Sequence, residues 1–201
     1  MSDFIPGLRL AEIFYRDAVA PILDSHYPSL VYSAALIGSG SDVLGFDTAR
    51  SMDHEWGPRL QLFLSDADAP RLGPEIHERL RQELPSEVAG ISTHFAEGDE
   101  AGIRHLRPHT GGPVEHKVRV ETVAGFLRDD YGLSGYRDLD PVDWLTTTDQ
   151  VLLELTKGAI FHDGLDELRP MRAAFACYPD QIWRYRLAAQ WARIGEMVAF
   201  V

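Results

Sequence analysis

An α+β fold, a sheet region followed by a helical bundle, follows from three features of the sequence. Two apolar runs, residues 30–37 and 60–64, are short and end in glycine or polar residues, as buried strands do. Residues 114–123 alternate, with Val118, Val120 and Thr122 on one side and Lys117, Arg119, Glu121 and Val123 on the other. Beyond 123 the apolar residues recur at helical spacing. Strands are therefore expected within 30–123 and helices after it, dividing the chain into residues 1–123 and 124–201. Nothing at 124–140 has the composition of a free linker, so the two parts are expected to pack as one unit.

Taken in order, Leu8, Ala11, Phe14, Ala18 and Ile22 mark an amphipathic helix over 8–24 that Pro21 should kink or divide. Leu72, Ile76, Leu80 and Leu84 mark one face of a second helix, stopped by Pro85. Ile91, Thr93 and Phe95 alternate and suggest a third strand. Residues 97–113, rich in Gly, His and Pro, read as a loop long enough to carry function. A short helix should end at Gly132, another should begin at Pro141, and Thr148 should cap a third. Residues 159–164 read as a short apolar run and turn, with a helix over 166–176. Pro179 and Asp180 suit the start of a last helix, whose Ile182, Trp183, Tyr185, Leu187, Trp191, Ile194 and Val198 spread over more than one face. Such a helix is either buried or makes a partner contact, which suggests a homo-oligomer.

Thirty-one acidic residues against 19 basic ones give a net charge of −12. That argues against nucleic acid as a partner, which needs clustered Lys and Arg. The single cysteine, Cys177, excludes an intramolecular disulfide, fits a cytoplasmic location and sits among apolar residues as an inert thiol would. No signal peptide is read at the N-terminus and no run reaches membrane-spanning length.

The chemistry concentrates between the first two strands. Gly38-Ser39-Gly40-Ser41 ends the first, and Asp53 and Glu55 stand two apart before the second. If 52–56 is extended, both carboxylates project to one side. Glycine lets backbone N–H groups approach phosphate, and paired carboxylates hold Mg²⁺ together with substrate phosphates. A dinucleotide-binding fingerprint would need glycine at 43, where valine stands, and the Gly-Lys-Ser/Thr of ATPase loops is absent.

An apolar strand, Gly-Ser, a spacer and an acid-x-acid pair resemble the polymerase-β-type nucleotidyltransferases, a superfamily that includes aminoglycoside nucleotidyltransferases and the minimal enzymes of toxin–antitoxin pairs. The string GSGSDVLGFDTARSMDHEWGPR is similar to a bacterial nucleotidyltransferase-like group, a domain of unknown function, and CYPDQIWRYRLAAQW resembles that group's helical part. The resemblance implies a mixed sheet flanked by helices, followed by a helical bundle. It also implies transfer of a nucleoside monophosphate from ATP or another nucleoside triphosphate to a small-molecule or protein hydroxyl, with release of pyrophosphate. Asp53, Glu55 and a third acid would hold Mg²⁺ or Mn²⁺, and Glu121 fits the third place, with Glu115 as rival. Gly38, Ser39, Gly40, Ser41, Asp47 and Arg59 would bind the nucleotide.

Each residue has a plainer reading. The glycine-serine segment can be a turn between strands, Asp53 and Glu55 a solvated strand end, Asp47 and Ser51 loop caps, and Glu121 a solvent-facing residue. Glu55 stands where many relatives carry Asp, and Pro58 predicts a strand start or bulge. The glutamate and the apolar last helix favour an alternative class, a nucleotide-binding or antitoxin-like protein without turnover. Glu154 is a minor candidate for a general base. His105, His109 and His116 read as solvated loop histidines rather than a zinc site.

Overall fold

The structure, a computed structural model, describes residues 4–50, 56–97 and 104–198, and all that follows concerns these. It is a mixed α+β fold. Its centre is a four-stranded sheet of β1 (Tyr32–Leu36), β2 (Arg59–Leu64), β7 (Lys117–Glu121) and β8 (Ala159–Asp163), in the order β7-β2-β1-β8. β1 is antiparallel to both β2 and β8, and β2 runs parallel to β7. Between β2 and β7 lie two small hairpins, β3 (Glu87–Val88) with β4 (Ile91–Ser92) and β5 (Phe95–Glu97) with β6 (Arg104–Leu106).

Both faces of the sheet are covered, which is why β1 and β2 read as largely apolar runs. Leu60, Leu62 and Leu64 of β2, with Tyr32 and Ala34 of β1, enter a core with Phe14, Leu23, Ile76 and Leu80. These come from α1 (Gly7–Phe14), α2 (Ala20–His26) and α4 (Ala69–Glu83). Ala35, Ile37 and Phe63 enter the opposite core with Phe126, Leu127, Leu155, Met171 and Phe175. The helices there are α5 (Val123–Tyr131), α7 (Asp149–Thr156) and α8 (Leu168–Phe175), with the short α6 (Pro141–Thr146) beside them through Trp144. Each fully buried leucine or phenylalanine contributes roughly 1.5–3 kcal/mol relative to exposure.

Local signals fix the boundaries. The first helical stretch runs on through Pro21: a π-helical turn at Tyr15–Val19 joins α1 to α2, which has the proline in its first turn. Thr122 caps α5 by accepting from the Gly125 N–H, and Gly132 ends it in the left-handed conformation at φ 69°. Thr148 caps α7. β2 begins directly after Pro58, whose missing N–H forbids an earlier start in a central strand.

Two expectations change. The 91–95 segment forms parts of the small hairpins rather than a strand of the main sheet, and β6 lies inside the segment read as a loop. More consequentially, residues 159–163 are a strand, so the part of the chain after 123 is not wholly helical but completes the sheet as β8. The glycines on either side explain its seat. Gly158 donates to the Val43 carbonyl with φ 77°, and any side chain there would meet the Leu36 carbonyl oxygen. Gly164 donates to the Tyr32 carbonyl, and a Cβ there would lie 2.6 Å from that oxygen. Asp163, its side chain fully buried, then accepts from Ser33 Oγ and from the Glu167, Leu168 and Arg169 N–H groups at the start of α8. Burial alone would raise its pKa, but these donors outweigh it and hold the carboxyl below its usual value.

The last helix, α9 (Asp180–Val198), buries only Ile182 among its described residues and exposes Trp183, Tyr185, Leu187, Trp191, Ile194, Met197 and Val198. Cys177, expected in an apolar setting, is exposed. No described helix is long and apolar enough to cross a membrane.

Candidate functional site

A cleft of about 660 Å³ opens where the C-terminal end of β1 meets the N-terminal ends of β2 and β7. Its lining includes Gly38, Ser39, Arg59, Gln61, Lys117, Arg119, Glu121 and Asp130. The parallel register pairs Arg59 with Lys117, Gln61 with Arg119 and Phe63 with Glu121. Residues two apart share a face, so these six point to the same side of the sheet. Arg104 also lines the cleft. The lining carries four cationic side chains and two acids, with Asp42 and Glu115 pairing Arg59 and Arg104 from outside it. Clustered cations of this kind favour an anionic ligand.

The turn at the end of β1 is held from three sides. The Gln61 side chain bonds both backbone groups of Ile37, with N–H to Oε1 at 3.0 Å and Nε2 to O at 3.1 Å. The Gly38 N–H donates to the Glu154 carbonyl of α7 at 3.1 Å. That corrects one expectation, because this N–H is committed to the protein and is no donor to phosphate. Gly38 has φ 97°, and a Cβ there would sit 3.2 Å from the Tyr131 hydroxyl. That hydroxyl in turn donates to Glu154 Oε2, so the Glu154 carboxylate also serves as an anchor.

Asp42, a residue the sequence reading did not single out, supplies the third hold. It sits at the start of the four-residue helix α3 (Ser41–Leu44). Its nearly buried carboxylate accepts from Arg59 Nη2 at 2.6 Å and Nε at 3.2 Å, while Nη2 also reaches the Ser39 carbonyl. Arg59 is therefore a brace across the turn as well as a wall of the cleft. Gly40, at φ 145°, leaves room for the pair: a Cβ there would meet both Arg59 and Asp42. Ser39 and Ser41 are exposed beside the brace. Asp47 is turned elsewhere, accepting from the Gly7 N–H at 2.7 Å and holding the start of α1.

Glu121 lies at the inner end of the cleft with 13% of its side chain exposed. It is not the solvent-facing residue of the plainer reading. Oε2 accepts from Arg119, while Oε1 is buried with no hydrogen-bond partner among the described residues. Burial pushes its carboxyl up to about 7, with Arg119 lowering it and Asp130 raising it. The rival Glu115 is ion-paired with Arg81 and Arg104 and does not line the cleft. Asp53 and Glu55, like Ser51, lie in 51–55, outside the described residues, which resume at Trp56, buried against Phe4, Leu10 and Ile91.

The histidines part company with expectation. His116 is buried: its Nδ1 accepts from the Val118 N–H, so Nε2 carries the proton and donates to the His77 carbonyl. Burial pushes its pKa down to about 4. A histidine depressed in the folded state gives stability that is complete above the unfolded value of about 6.5 and is lost as pH falls toward 4. The loss is on the order of 3 kcal/mol. Urea midpoints measured from pH 7 to pH 4 should fall steeply in wild type and less in His116→Gln. Parallel curves would remove His116 as the cause. Among the described residues no three His, Cys, Asp or Glu side chains converge as a metal site.

Residues 144–201 match the family model described as Domain of unknown function (DUF4037). No curated protein and no solved structure matches the chain. The matched segment carries the elements that support the cleft from behind, namely α7, whose Glu154 holds Gly38, and β8, which pairs with β1.

Proposed function

We propose that the chain is a metal-dependent nucleotidyltransferase of the polymerase-β type, moving a nucleoside monophosphate from ATP or another nucleoside triphosphate to a hydroxyl acceptor. One observation carries this reading. The glycine-serine turn, Arg59 and Glu121, far apart in sequence, line a single cationic cleft. Glu121 offers a buried carboxylate oxygen with no hydrogen-bond partner among the described residues, the kind of donor a hard divalent cation takes, and Mg²⁺ or Mn²⁺ is the natural choice. Glu121, Asp53 and Glu55 would hold it. When bound, such a cation acidifies the acceptor hydroxyl and offsets charge on the leaving pyrophosphate.

The remaining work falls to the chain. Ser39 and Ser41 offer hydroxyls at the turn, and Arg59, Lys117 and Arg119 supply positive charge to the triphosphate. Arg59, fixed by Asp42, keeps its direction before the ligand arrives, and a preorganised charge stabilises a transition state without reorganising at the moment of reaction. The acceptor oxygen forms a bond to the α-phosphorus, the bond from that phosphorus to the pyrophosphate oxygen breaks, and the hydroxyl proton is released.

A second reading, nucleotide binding without turnover in an assembly with another subunit or a second copy, draws on α9 and its exposed tryptophans. Pyrophosphate release from Mg-ATP, screened over hydroxyl acceptors and measured beside nucleotide binding, separates the two. The transferase reading predicts Mg²⁺-dependent release. Binding with no release across the panel favours the second reading, and absence of both rejects both.

A further inference from the structure

Glu121 shares its one bonded oxygen with a neighbour that has a second partner. The Arg119 guanidinium lies between two carboxylates. Nη2 donates to Glu121 Oε2 at 2.7 Å and to Asp130 Oδ1 at 3.1 Å, and Nη1 donates to Asp130 Oδ2 at 2.7 Å. Arg119 and Glu121 are brought together by β7, and Asp130 comes from the last turn of α5. Asp130 thus grips the planar fork by two oxygens and Glu121 by one, a geometry that lysine cannot reproduce. Exposure grades the same way, the Asp130 side chain at 32% and Arg119 at 50% against 13% for Glu121.

We propose that Arg119 is the resident counter-cation of Glu121 and Asp130 its receiving site, so that a divalent cation arriving at Glu121 moves Arg119 wholly onto Asp130. The inference rests on the metal-dependent reading above. When ionised, a mostly buried carboxylate is stabilised by a counter-charge, and the guanidinium supplies one while leaving Oε1 without a hydrogen-bond partner among the described residues. A half-exposed ion pair is weak enough to be displaced, and Asp130 already holds the fork in the geometry it keeps afterwards. Asp130 is in this account a positioning residue: it acts on Glu121 through Arg119.

The test is a double-mutant cycle on Mn²⁺ affinity, read by the loss of the free-ion electron paramagnetic resonance signal as protein is added to Mn²⁺ without nucleotide. Wild type, Asp130→Asn, Arg119→Gln and the double variant are compared, each checked for an unchanged urea midpoint. Asp130→Asn should weaken Mn²⁺ binding about tenfold, because Arg119 then has only Glu121 as a charged partner. In the Arg119→Gln background the same change should cost less than about threefold. Equal factors in the two backgrounds would overturn the proposal, since Asp130 would then act by its charge alone. A variant with a shifted urea midpoint is replaced by Asp130→Ser or Arg119→Lys. The lysine, which keeps the charge without the fork, should also uncouple the pair. If wild type binds no Mn²⁺ the metal-dependent reading itself fails, whereas wild-type binding with additive variants sinks only the role of Arg119 and Asp130.

Discussion

Asp53→Asn should lower the rate of pyrophosphate release by on the order of 10²–10³, with the fold intact. The substitution keeps shape and removes one charge from the proposed metal ligands. When that charge acts on the transition state, its loss falls on the chemical step more than on binding. The turn, Arg59 and Lys117 would still receive the triphosphate, so nucleotide affinity should fall far less than the rate. Single-turnover rates and nucleotide titrations on both proteins measure the two separately. Equal release by wild type and variant would remove Asp53 from the chemistry.

Asp42→Ala should destabilise the protein by roughly 3 kcal/mol, near the lower end for breaking one partner out of a buried ion pair, because Arg59 keeps about a fifth of its side chain in solvent. The aspartate also accepts from the Val43 N–H, so the variant opens the first turn of α3 as well. Urea unfolding of Asp42→Ala, Arg59→Ala and the double variant should give a coupling of roughly 1–3 kcal/mol between the two. A loss below about 0.5 kcal/mol would mean that Arg59 simply re-enters water and that the turn needs no brace. Weaker nucleotide binding by Asp42→Ala, measured under folding conditions, would connect the brace to the site.

The parts of this protein legible in its sequence are those set by local chemistry. A π-helical turn precedes Pro21, which lacks an N–H, Thr122 and Gly132 bound α5 from either end, and a strand begins behind Pro58. β1 and β2 are largely apolar because helices cover both sides of the sheet. Glu121 was nominated because the resemblance asks for a third acid on a strand and the alternating pattern of 114–123 offers one there. What escaped depends on contacts between distant segments. β8 is five residues long and pairs across 130 positions, from Ser33 to Asp163, so its pattern alone looked like a turn. The commitment of the Gly38 N–H to Glu154, the hold of Asp42 on Arg59 and the bridge from Arg119 to Asp130 all need the folded chain. His116 read as solvated because its loop is polar, yet its ring lies under α4 against His77. Arg59 lies directly across from Lys117, a like-charge pair that destabilises a sheet unless an acid offsets it, and only the register reveals it.

Isothermal titration of ATP into the wild-type protein, with and without Mg²⁺, is the most direct test of the cleft as a metal-assisted nucleotide site. The account predicts saturable binding that tightens at least about tenfold when Mg²⁺ is present, and a smaller gain in Asp53→Asn. Binding of the same strength with and without the metal, or no binding in either condition, would contradict it.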